Sequence, residues 1–125
     1  MIKFALVSGA LFSALSVMIG AFGAHALNDI LTANARTDTF ETAVRYQMFH
    51  SLAILVAALI MKENPSAMFD WAVYLFIAGI IIFSGSLYIL SITNITWYGA
   101  ITPIGGLAFI VGWIVLIIAF VKLKI

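Results

Sequence analysis

Eight residues of this 125-residue chain have side chains whose type and spacing can do chemistry: His25, Arg45, Gln47, His50, Ser84, Ser86, Tyr88 and Thr102. Histidine exchanges a proton near neutral pH, arginine holds carboxylates and phosphates, and the amide and hydroxyls donate and accept hydrogen bonds. Arg45, Gln47 and His50 fall within six positions, and Ser84, Tyr88 and Ser91 follow at offsets of four and three, which puts them on one helical face. Three chemistries are open to such a set: a proton or small-anion site using His25 and His50, an anionic headgroup held at Arg45, or hydrogen bonds between helices. In the last case Arg45 pairs with Glu41 one turn earlier or snorkels to the headgroups, and a neutral His50 bonds to Ser84 or Tyr88. Two histidines with no nearby carboxylate make at most half a metal site, so no metal is expected. Ser86 with His50 can be written as a nucleophile and base, but oxyanion donors are not readable, so no enzyme is expected either. Cysteine is absent, which removes thiolate chemistry and disulfides. No GxxxxGK or GxGxxG pattern occurs, so neither a nucleotide nor another cofactor is expected.

The elements that must position these residues follow from composition. Hydrophobic residues make up 65% and charged residues 9%, against about 25% charged in soluble domains. A water-facing surface cannot be built from that, so the surrounding solvent is lipid. The formal charge of +1 excludes a nucleic-acid footprint. A bilayer core of about 30 Å takes about 20 apolar residues, and four such runs occur, at 4–24, 43–61, 70–91 and 100–121. They predict an all-α, four-helix polytopic membrane protein that forms a single membrane domain over 1–125. From Trp71 through Val121 no residue is charged. The apolar stretch after Lys3 is too long for a signal-peptide core, so the first run is expected to stay as a span.

Local signals mark the ends. Asp38 with Glu41 reads as a capping box opening the second helix, and Asn64 before Pro65 as the cap of the third. The fourth starts at Thr102 with Pro103, or begins near Thr96 and kinks at the proline. Lys3, Lys62, Lys122 and Lys124 on one side outnumber Arg36 and Arg45 on the other, which predicts both termini in the cytoplasm of a cell whose inner membrane holds the chain. The clustered polar residues then lie toward the outer leaflet. In the first run Gly9, Ser13, Ser16, Gly20 and Gly23 form a heptad seam of small residues, and Gly105 and Gly112 stand seven apart in the fourth. Such seams allow close helix packing, within one chain or between copies.

Four stretches carry a resemblance: GAFGAH at Gly20 to His25, TAVRYQMFHSLA at Thr42 to Ala53, FSGSLY at Phe83 to Tyr88 and ITPIGGLAFIVGW at Ile101 to Trp113. Together they resemble the domain of unknown function four-two-three family of small membrane proteins. The resemblance implies a four-span protein and no particular activity. Its motifs carry His25, Arg45, Tyr46, His50, Ser86, Tyr88, Thr102, Pro103, Gly105 and Gly106. The expected function is that of a non-enzymatic, oligomeric scaffold or lipid-interacting component, with membrane lipids and further copies of itself as partners. The alternative is a subunit of a transporter or channel for protons, ions or small solutes.

Overall fold

In lipid no water is available to bond a bare backbone, so each spanning segment must satisfy its own N–H and C=O groups as a helix. The computed structural model, which describes residues 1–125, meets that demand with four spans and no strand. Helix α1 is Ile2–Ala24, a short α2 is Asn28–Ala33, and α3 is Thr37–Glu63. The third span runs over Ala67–Thr93 as α4 (Ala67–Gly79), one π turn (Ile80–Ser84) and α5 (Gly85–Thr93). The fourth opens with a 3-10 turn (Thr96–Ala100) and continues as α6 (Thr102–Val121). Helix α3 has 27 residues, about 40 Å at 1.5 Å each, so it outreaches the hydrocarbon core.

The polypeptide runs up and down, and each span packs on its chain neighbour: α1 on α3, α3 on α4 and α5, and α4 on α6. One apolar core draws on all four spans, with Ala5, Ile54, Ala57, Ala58, Phe69, Val73, Phe76, Phe109 and Leu116 at its centre. The small-residue seam of α1 lies on α3. A Cβ on Gly9 would stand 2.8 Å from Leu55 and 3.1 Å from the Ser51 carbonyl, and one on Gly23 would enter the Phe40 ring. Ser16 is buried in the same seam. Gly105 and Gly112 serve the fourth span likewise: Gly105 lies on the backbone of Phe83 in the π turn, and Gly112 lies 2.8 Å, by its absent Cβ, from Phe76.

The ends differ from the sequence reading in two places. Helix α3 begins at Thr37 behind Arg36, and no side chain caps it, so Asp38 stands in the first turn, where its charge favours the helix N-terminus. Asn64 closes α3, and the cap of α4 is Ser66, which accepts from the Met68 N–H at 3.3 Å. Proline fixes its own φ and restricts the residue before it, which pushes the helix start past Pro65. Both starts suggested for the fourth span are used, since the 3-10 turn begins at Thr96 and the α-helix at Thr102, with proline in its first turn.

The connection from α1 to α3 is folded. Helix α2 seats Leu31 in the interior, and Asn34 donates to the carbonyls of Ser91 and Ile92 at 3.0 and 3.1 Å, satisfying the orphan end of α5. Arg36 adds a bond of 3.1 Å to Asn94, itself in the left-handed conformation that ends α5.

Candidate functional site

Gln47 sits at the junction of three spans. Its Nε2 donates to the Phe12 carbonyl of α1 at 2.9 Å, and its Oε1 accepts from the Tyr88 hydroxyl of α5 at 2.7 Å. Ser84, fully buried in the π turn, donates to the Ala43 carbonyl of α3 at 2.7 Å. Ser86 and Thr102 bond to each other at 2.6 Å and so join α5 to α6. Lower in the bundle Ser13 donates to Ser51 at 2.9 Å, a second polar bond between α1 and α3.

His50 lies midway along α3 and is 95% covered, its exposure being 5%. Its Nε2 faces the indole Nε1 of Trp113 at 3.0 Å, and its Nδ1 faces the Tyr46 carbonyl at 2.6 Å. Indole N–H is a donor only, so Nε2 accepts, and Nδ1 carries the proton donated to Tyr46. Both nitrogens of this neutral tautomer are occupied. The ring is stacked on Phe109 with centroids 3.5 Å apart and an interplanar angle of 11°, and Phe76 packs at 5.4 Å. The expected partners Ser84 and Tyr88 therefore do not meet His50. They bond one and two turns closer to the α2 end, where Ala43 and Gln47 face them, whereas Trp113 comes from the fourth span at the depth of His50.

Two candidates stand outside this network. His25 is exposed at the end of α1, and Arg45 is exposed on α3. Arg45 does not pair with Glu41: the one ion pair of the chain is Lys62 with Glu63 at 4.0 Å, at the opposite end. The exposed Arg45 side chain instead lines a cavity between α1 and α3. No buried side-chain polar atom lacks a hydrogen-bond partner, and no group of three metal-ligating residues occurs.

Trp113 is the member of the network that sequence reading missed. The signal was there: an indole N–H far from either helix end must find an acceptor inside the protein. Asn34 and Arg36, which lock the first connection onto α5, were missed for a different reason, since polar loop residues rarely reveal their partners.

Four apolar spans joined by interhelical polar bonds define a polytopic α-helical membrane protein. The chain matches the family model described as protein of unknown function (DUF423) over residues 19–106. It is 47% identical over 120 residues to a Staphylococcus epidermidis protein named UPF0382 membrane protein, an alignment covering 96% of this chain and 97% of the other. It is 43% identical over 121 residues to the UPF0382 membrane protein YwdK of Bacillus subtilis, covering 96% and 98%. With the UPF0382 inner membrane protein YgdD of Escherichia coli the identity is 38% over 124 residues, covering 99% and 91%. The chain belongs to this DUF423, or UPF0382, family of membrane proteins. No solved structure matches it.

Proposed function

We propose that this protein is a non-enzymatic membrane component that acts through lipids and further copies of itself held on its outward faces, with its buried polar residues serving to fix the helices. The observation that carries this reading is the saturation of the polar network: Gln47, His50, Ser84, Ser86, Tyr88 and Thr102 are each bonded to another helix or to a backbone carbonyl. A proton path or a nucleophilic site needs groups with a position open for substrate, and here those positions are filled from within the bundle. What the molecule offers a partner is surface. Large apolar side chains stand outward along α1 and α6, among them Val7, Leu11, Val17, Ile104, Leu107 and Ile114. The basic residues at the two ends favour an orientation with both termini in the cytoplasm and the α2 end outside.

The test uses the full chain in liposomes. Lipid co-purifying with it through mild detergent, and a mass above that of one chain, are the expected results of native mass spectrometry. A lipid-free protein that carries protons or ions across the vesicle wall would replace this reading with transport.

A further inference from the structure

Near the α2 end, α1 and α3 part to leave an open cavity of about 590 Å³, within the range of roughly 300 to 1,000 Å³ usual for ligand sites. The seam is tight at Gly9 and again at Gly23, against Phe40, and is loose between them: a Cβ on Gly20 would meet only Val44, at 3.4 Å. Gly20, Val44, Met48 and Leu52 make an apolar trough, and Asn28, Thr37, Glu41 and Arg45 are the polar residues of its lining. Both charged side chains are exposed, and neither is paired.

From this geometry we infer that the trough is a site for one phospholipid with a primary-amine zwitterionic headgroup, phosphatidylethanolamine being the type. The inference rests on the lipid-binding reading above and names its ligand. Three features select this occupant. The trough is open and mostly apolar, as an acyl chain requires. The two charges are opposite in sign and one turn apart, about 6 Å along the helix axis, so the site complements a headgroup with both charges rather than one. Their order is also right. In such a lipid the phosphate is attached on the glycerol side and the ammonium lies one ethylene further out. Counting about 20 residues back from Met61 puts the edge of the hydrocarbon near Thr42. Arg45 therefore lies just inside that edge and reaches up to phosphate, which its guanidinium binds in bidentate fashion, while Glu41 lies just outside at the level of the ammonium. A primary ammonium donates hydrogen bonds to the carboxylate. A trimethylated one cannot, so a choline lipid binds less well.

The experiment places the full chain in vesicles of equal parts phosphatidylethanolamine, phosphatidylcholine and phosphatidylglycerol, and reads the retained headgroup by native mass spectrometry. The wild type is expected to keep phosphatidylethanolamine above the other two. Arg45→Gln should lower that retention about tenfold, the size of one charge-assisted bond. Glu41→Gln should keep a lipid but move the choice to anionic phosphatidylglycerol, because an isolated cation remains. Both side chains are exposed without protein partners, and unchanged melting temperatures check that the variants fold. A wild-type preference for phosphatidylglycerol or phosphatidylcholine would overturn the assignment. So would a dimer, lost on Arg45→Gln, with no lipid in the trough. Lipid retained alike by wild type and both variants overturns the trough and leaves the broader lipid reading standing. A wild type that retains no lipid overturns both.

Discussion

Gln47 shows how much one side chain does in a solvent that gives helices no hydrophobic reason to associate. Its amide links α3 to α1 on one side and to α5 on the other. Polar contacts between membrane helices contribute about 0.6 to 2 kcal/mol each. Gln47→Leu removes two and leaves the Tyr88 hydroxyl without its acceptor, so it should lower thermal stability in detergent more than Tyr88→Phe does. The double variant should be no worse than Gln47→Leu alone, because the two residues share one interaction and their losses do not add. Equal, additive losses would place Tyr88 outside the network. At this scale the sequence was informative about types and silent about pairs. Gln47, Ser84 and Tyr88 stand out because polar residues are expensive in a span. Which of them meet depends on rotation and depth of each helix, and a single π turn is enough to change both for everything after Ser84.

Elements were more legible because the bilayer constrains their length. A run of about 20 apolar residues has one structural solution in lipid, so four runs became four spans. Their ends lie in water or at the interface, where that constraint lapses. Hence α3 extends back to Thr37 and the 3-10 turn precedes α6. The glycine seams were legible as close approaches but not in strength. Gly105 faces fixed backbone, with Phe83 Cα 2.7 Å from an added Cβ, whereas nothing stands within 4 Å of one on Gly85. Gly105→Ala should therefore lose about 1 to 3 kcal/mol by overpacking and forcing the fourth span off the π turn. Gly85→Ala should be neutral or gain up to about 1 kcal/mol from helix propensity. Melting curves of the two variants in one detergent decide it, and equal behaviour would mean that Gly105 does not set the distance between the spans.

For the whole molecule, the placement of charge makes a topological statement. Asn34 and Arg36 hold the first connection over the end of α5, so that α2 and the turn after Asn94 form one face. The proposed orientation predicts that cysteines at Thr32 and Thr96 react with an impermeant thiol reagent on intact cells, and those at Ser66 and Ile125 only after lysis. The reverse pattern would move the Arg45 trough to the other leaflet.

Gln47, His50, Ser84 and Ser86 bond one helix to another, and His50 with Trp113 is the sharpest case. His50→Phe keeps a ring to stack on Phe109 but removes both nitrogens, and Trp113→Phe removes the indole donor. A double-mutant cycle of unfolding free energies in mixed micelles measures what the pair contributes. The expected coupling is about 0.6 to 2 kcal/mol for this contact, with no change in proton permeability of reconstituted vesicles. A coupling near zero, together with proton flux present in the wild type and abolished by His50→Phe, would contradict it.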